Sequence, residues 1–158
     1  MINPLTVWAI FVLAVTTLCL AKPNAGRIFL GLFYVAMAIG VNIVLVLLHP
    51  QLYIELGRNA LIPLYRALFL QVIALNPPLF ILPVAACQIA IGLLILNKGR
   101  YVKVGLAGGI IFTLAITPLG IEELPNPVLA LAQVFLLTKE FDTTFLEILR
   151  FKLRPKSL

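Results

Sequence analysis

Residues 28–48 read IFLGLFYVAMAIGVNIVLVLL, an unbroken run with no Lys, Arg, Asp or Glu and a single amide, Asn42. At about 1.5 Å rise per residue such a run makes a helix of about 30 Å, the thickness of a bilayer's hydrocarbon core. Lipid offers no water to backbone N–H and C=O groups, so a run of this kind is helical if it spans. Three further stretches, 4–21, 79–96 and 104–121, are equally free of charge. A fifth, 124–138, is shorter. It opens on Pro125-Asn126-Pro127, a turn that sets a helix N-terminus, and closes on Lys139, whose long stem reaches an interface. The whole chain of 158 residues is 62% hydrophobic and 11% charged, against about 25% charged in a soluble domain. The expectation is an all-α integral membrane helical bundle with about five transmembrane segments. It forms a single transmembrane helical domain over 1–158, since no linker, low-complexity run or strong internal repeat divides the chain.

Charge sets the orientation. Lys22 and Arg27 fall between the first and second runs. Lys98, Arg100 and Lys103 fall between the third and fourth. Lys139, Arg150, Lys152, Arg154 and Lys156 follow the fifth. Ten of the twelve basic residues therefore lie on one side, and Arg58 and Arg66 on the other. Basic loops stay cytoplasmic, which places the N-terminus outside and the C-terminus inside a bacterial-type inner or plasma membrane. The net charge of +6 is then an orientation signal. Nucleic-acid binding is not expected, because no basic face with interleaved aromatic residues exists. Segment 51–76 is apolar in its second half, but Arg66 interrupts it, and making it span would carry Lys98, Arg100 and Lys103 outside. It reads as an interfacial helix on the outer leaflet, with Tyr53 and Tyr65 at the boundary. The first run lacks a basic n-region and is followed by Lys22, so it reads as a membrane helix rather than a signal peptide.

Lipid gives helices no hydrophobic reason to associate, so small residues four apart mark close-packing faces. Ala36 and Gly40 do so in the second run, Ala86 and Ala90 in the third, and Gly105 and Gly109, with Gly108 beside them, in the fourth. Pro83 and Pro118 remove backbone donors and are expected to bend their helices. Cys19 and Cys87 sit at different depths of separate runs, which disfavours a disulfide, and apolar thiols are inert packing groups. His49 is the only histidine, so a metal site is not expected. Glu122 and Glu123 form an adjacent pair at a turn. They read as solvated, or as the mouth of a pocket, and one such pair does not specify acid–base catalysis.

Three amides stand apart. Asn42, Gln88 and Gln133 each lie about 9–13 Å below the outer end of their segments by helical rise, so they can share one layer. Polar groups in lipid need partners. One reading is an interhelical hydrogen-bond cluster. The sharper one is a ligand site that orients a carbonyl or hydroxyl, such as a quinone head group or a bound lipid. In the tail, 139–158, Phe141, Phe145, Ile148 and Leu149 recur at helical spacing among basic residues. This pattern fits an amphipathic helix on the anionic inner leaflet or on a cytoplasmic partner.

From residue 27 to about 120 the chain resembles the DoxX family of small membrane proteins. The resemblance is carried by RIFLGLF at 27–33 and by QIAIGLLIL at 88–96, followed by Lys98-Gly99-Arg100. It implies a compact helical bundle and association with redox or quinone-linked membrane complexes. In that family a glutamate commonly heads the second stretch. Gln88 stands there here, so a proton-carrying role does not transfer. The first helix and the basic tail lie outside the resemblance.

With no catalytic constellation, the expected function is that of a non-catalytic accessory subunit or scaffold, packed against other integral membrane proteins or further copies of itself. A quinone- or lipid-binding component of a membrane redox system is the alternative. A transporter or channel ranks last, because no ionisable residue lies within the five cores, the usual mark of an ion path. Neutralising Lys98, Arg100 and Lys103 together is expected to invert or mix the topology more than neutralising Arg58 and Arg66. The measurement is accessibility of a cysteine placed at Glu122 to a membrane-impermeant thiol reagent, and equal labelling in both variants would break the charge argument.

Overall fold

The computed structural model describes residues 3–153. These are 85% helical, with no strand among them. Helix α1 covers Pro4–Ala21, capped by Asn3, whose side chain accepts from Leu5 N–H at 3.0 Å. One residue later Pro23 opens α2, Pro23–Leu48, which contains a π-helical turn at Ala38–Ile43. Two short helices follow, α3 Gln51–Asn59 and α4 Pro63–Leu75. Helix α5 covers Pro77–Ile95 and α6 Arg100–Leu119. After a 3-10 turn at Ile121–Glu123 come α7, Asn126–Leu137, and α8, Phe145–Leu153. Residues 154–158, the end of the predicted amphipathic tail, lie outside the described residues.

Four helices, α1, α2, α5 and α6, are long and apolar enough to cross a membrane. The fifth, α7, has 12 residues, about 18 Å, which is short of the hydrocarbon core. Its flanks extend it. Asn126 at its start is bonded to Trp8 near the start of α1, and Thr143 beyond its end is bonded to Arg27 near the start of α2. The fifth segment therefore runs the length of the bundle as a short helix between non-helical ends.

The five helices close into a ring in the order α1, α2, α5, α6, α7 and back to α1. Val12, Cys19, Leu30, Tyr34, Leu106 and Leu136 fill its interior. Ile10, Leu13, Ile39, Leu93, Ile111 and Leu131 point outward and are exposed. This is the arrangement that lipid demands, because an apolar surface costs nothing there.

The small residues divide by face. The buried positions of α2, Arg27, Leu30, Gly31, Tyr34 and Ala38, lie on one stripe. Ala36 is nine residues from Arg27, which at 3.6 residues per turn is half a turn away from that stripe. Ala36 and Gly40 are accordingly exposed, and a Cβ on Gly40 would meet nothing within 4 Å. These two are not a packing face. Ala86 and Ala90 are exposed for the same reason, since α5 buries Ile81, Ala85, Gln88, Gly92 and Ile95. The close approach of α2 and α5 is made instead by Gly31 and Gly92: a Cβ on Gly92 would come 2.6 Å from the Gly31 carbonyl. On α6 the small residues do face a neighbour. A Cβ on Gly105 would lie 2.7 Å from Ile95 N, and one on Gly108 would lie 3.1 Å from Ile91. Gly109 faces Gln133 and Tyr34.

Segment 51–76 is not one helix. Its chain breaks after Asn59, Pro63 starts α4, and the two helices pack on each other with Gly57 against Phe69. The pair covers one end of the ring: Leu61 N–H donates to the Pro118 carbonyl at 2.8 Å and the Tyr65 hydroxyl to the Ala115 carbonyl at 2.7 Å. Phe69 and Ile73 join Val46 and Ile81 in a second apolar cluster. Pro83 sits inside a continuous α5, while Pro118 lies in the 3-10 turn that ends α6.

Arg27 closes the opposite end. It is not a loop residue but lies within α2, 0% exposed. Its Nη1 donates to the carbonyls of Ile95 at 3.1 Å and Asn97 at 2.6 Å, its Nη2 to that of Thr143 at 2.5 Å, and its Nε to Asn24 Oδ1 at 2.8 Å. Its carbon Cζ stands 4.8 Å from the Phe141 ring centre. Phe141 is buried under it and is not part of the tail helix. Residues 139–144 form a strap, anchored by Gly99 N–H to the Phe141 carbonyl and by Phe145 N–H to the Leu96 carbonyl. Gly99 has φ of 58°, a conformation that glycine adopts at least cost. Thr144 and Glu147 then cap α8 reciprocally, the capping-box arrangement. Leu146, Leu149 and Phe151 are its exposed apolar residues.

Arg27→Met removes every one of these donors and leaves the carbonyls of Ile95, Asn97 and Thr143 without them. The expected loss is at least about 2 kcal/mol, read as a lowered Tm of the detergent-solubilised protein, with partial recovery in Arg27→Lys. A Tm equal to that of the unaltered chain would remove Arg27 from the architecture.

Candidate functional site

Beside its packed core the ring leaves a partly open cavity. Of about 210 Å³, it receives residues from all five helices, chiefly aromatic and apolar: Trp8 from α1, Phe33 and Met37 from α2, Phe112 and Ile116 from α6, and Leu129 from α7. A cavity of about 150 Å³ holds benzene, so this one has room for a single substituted ring. Three polar constellations border it.

The first joins Asn42 and Gln88. Asn42 Nδ2 donates to Gln88 Oε1 at 2.6 Å. The Tyr53 hydroxyl, from α3, donates to Asn42 at Oδ1 (3.1 Å) or at its main-chain carbonyl (3.2 Å). Asn42 belongs to the π-helical turn of α2, where the altered i→i+5 pairing re-aims side chains and backbone carbonyls. Burial pushes the Tyr53 hydroxyl up to about 12, so it keeps its proton and serves as a donor. Gln88 is 4% exposed and lines the cavity. Among the described residues no acceptor is bonded to its Nε2.

The second constellation is built on Gln133, with Tyr34 and Thr113. Gln133 Nε2 donates to Thr113 Oγ1 at 3.1 Å, Thr113 Oγ1 and Tyr34 Oη are 2.7 Å apart, and the Tyr34 hydroxyl reaches Gln133 Oε1 at 3.2 Å or the Gly109 carbonyl at 3.0 Å. Each hydroxyl has one proton. Thr113 giving its proton to Tyr34, and Tyr34 giving its own to Gln133, closes the ring of bonds. Gln133 is wholly buried and does not reach the cavity wall, whereas Tyr34 and Thr113 do.

The third lies where α7 begins. Trp8 Nε1 donates to Asn126 Oδ1 at 2.8 Å, and Asn126 Nδ2 donates to Glu123 Oε2 at 2.7 Å. Glu123, half-buried, is on the cavity wall. Burial holds its carboxyl above the usual carboxylate range, with the Asn126 bond opposing and the charge of Glu122 adding.

The three amides picked out by helical rise thus do not meet. Asn42 and Gln88 bond to one another, and Gln133 belongs to a separate network. Rise along a helix fixes depth but leaves the azimuth open, and the two networks sit on different sides of the cavity. Tyr34, Thr113, Trp8 and Asn126 escaped the sequence reading. Tyr34 and Thr113 are polar side chains set within apolar runs, a signal they share with Asn42 and Thr117. Asn126 reads as a turn residue between two prolines. Cys19 is buried, Cys87 exposed, and neither borders the cavity. Among the described residues no three His, Cys, Asp or Glu side chains cluster as metal ligands do.

Comparison with models of protein families, with characterised proteins and with solved structures returns no match.

Thr113→Val breaks the closed network at its middle without changing side-chain volume. Buried polar contacts between membrane helices average about 0.6 kcal/mol each, so the loss of two is expected to cost about 1 kcal/mol in unfolding measurements in mixed micelles. A cost several times larger would mean that the network carries the fold rather than tuning it.

Proposed function

We propose that this chain is a non-catalytic integral membrane protein that holds one small lipid-soluble molecule within its helical ring and serves as an accessory component of a larger membrane assembly. The observation that carries the binding half is Gln88. Its Nε2 has no acceptor among the described residues and is not sealed in the interior, so this donor opens onto the cavity, and an amide donor left unpaired where water is scarce costs about 1–3 kcal/mol. A ligand acceptor atom in the cavity, a carbonyl or a ring oxygen, completes it. The enclosing wall is aromatic, as small-molecule sites commonly are, with few and convergent polar groups. A quinone ring or the carbonyl of a bound lipid satisfies the same donor, and this agrees with the redox-linked setting that the DoxX resemblance implies. The absence of catalysis is argued from the cavity wall, where Glu123 is the sole carboxylate among the described lining residues and stands beside amides, hydroxyls and a thioether.

The accessory role is supported by the exposed apolar residues Leu146, Leu149 and Phe151 of α8. Other integral proteins, or further copies of the chain, are the proposed neighbours. The orientation proposed is N-terminus outside and C-terminus cytoplasmic, in a bacterial-type inner or plasma membrane. It is supported by the end of the ring that carries Lys22, Arg27, Lys98, Arg100 and Lys103.

The test is solvent extraction of the purified protein followed by mass spectrometry. The unaltered chain and Ala90→Leu, a change on the exposed face of α5, are expected to release the same compound in near-stoichiometric amount. Gln88→Leu is expected to release little of it while Tm changes by only a few degrees. Equal release from Gln88→Leu would end the reading.

A further inference from the structure

Glu123, half-buried on the wall of the same cavity, presents a second open bonding position. Glu123 Oε2 accepts from Asn126, and among the described residues no donor is bonded to Oε1. Neither of the two salt bridges among the described residues involves it. Among the described residues, α1, the turn Thr117–Leu119 and α7 contain no charged side chain, and its neighbour Glu122 carries like charge. Asn126 and Gln133 are separated by seven residues of α7, about 10 Å. Glu123 therefore stands about that far toward the end of the ring from the Tyr34–Thr113–Gln133 level. An amide donor, an aromatic wall and a carboxylate acceptor border one volume that fits one ring.

We propose that the molecule held by Gln88 is a carbonyl-bearing phenol, its carbonyl accepting from Gln88 Nε2 and its hydroxyl donating to Glu123 Oε1. The proposal rests on the binding reading above and adds the ligand class. A neutral hydroxyl suits the site better than an organic cation. One face of Trp8 is already stacked on Phe11, with ring centres 5.0 Å apart, and Tyr34 meets Phe112 edge-on, so these aromatic faces do not form an open cage for a cation. The carboxylate form is the acceptor. Burial raises the pH at which Glu123 ionises, so binding of the hydroxyl is full above that point and falls as pH drops through it.

Trp8 is the only tryptophan of the chain and borders the cavity, so its fluorescence reports occupancy in detergent micelles. The probes are 1-(4-hydroxyphenyl)hexan-1-one, its O-methyl ether and the corresponding 4-aminomethyl ketone. The phenol is expected to bind about tenfold more tightly than the ether, the effect of one hydrogen bond to a charged acceptor. The preference is expected to shrink on acidification, and Glu123→Gln is expected to abolish its pH dependence. Gln88→Leu is expected to weaken phenol and ether alike, since both carry the carbonyl. Equal binding of phenol and ether, with Gln88→Leu still deleterious, overturns the Glu123 contact and leaves the Gln88 reading standing. Tightest binding by the aminomethyl ketone overturns the phenol in favour of an organic cation. Absence of quenching by all three overturns the proposal, and extraction of a compound lost in Gln88→Leu would then keep the binding reading separate from it.

Discussion

A guanidinium bonded to main-chain carbonyls, with no carboxylate paired to it among the described residues, holds one end of this bundle together. The last carbonyls of a helix have no intrahelical donors and mark the negative end of its dipole. Arg27 places its planar fork on the carbonyl of Ile95, the last residue of α5, and on that of Asn97 just beyond it, and extends it to the strap that follows α7. The charge is met by oriented carbonyls and an aromatic face in place of a counter-ion. One side chain thereby fixes three stretches of chain that are far apart in sequence. It also sets the register of α2 against α5. One turn beyond Arg27, Gly31 meets Gly92, and a further turn on, Tyr34 reaches across the ring to Gly109 and Gln133. The position of the cavity floor follows from that register.

Much of this was written in the sequence, and the failures have a common cause. The bounds of α1 coincide with its hydrophobic run, and those of α5 lie within two residues of theirs, because an Asn cap followed by proline starts each helix and the cost of a charge in lipid keeps Lys22 and Lys98 beyond their ends. The same rule concealed Arg27. A cation next to an apolar run is read as the loop that bounds it, and nothing local distinguishes one whose partners are carbonyls 68 to 116 residues away. Ala36 and Gly40 failed differently. Four-residue spacing of small side chains says that they share a face, but not that the face is the buried one. That is settled by the wider stripe of Arg27, Leu30, Gly31, Tyr34 and Ala38. Of the site, Gln88 was legible as a polar group in an apolar run and Glu123 as one of an acidic pair at a turn. Their meeting at one cavity depends on the azimuth of five helices, which no single run encodes.

The polar residues of the interior serve two ends. The Tyr34–Thr113–Gln133 network spends its donors on itself and gives the helices a specific angular setting, which apolar contacts between lipid-soluble helices do not supply. Gln88 and Glu123 each keep one bonding position open toward the cavity. The contrast between closed and open networks separates scaffold from site more sharply than burial does, since Gln88 and Gln133 are both buried.

Closure of the ring by α1 against α7 joins the first helix made to the last of the five. Chains emerge and fold from the N-terminus, so the wall between α1 and α6 stays missing until synthesis is nearly complete. For most of its biogenesis the interior is a trough open to the bilayer. The arrival of α7 completes the wall, so the interior takes its final shape only when the last of the five segments packs against the first.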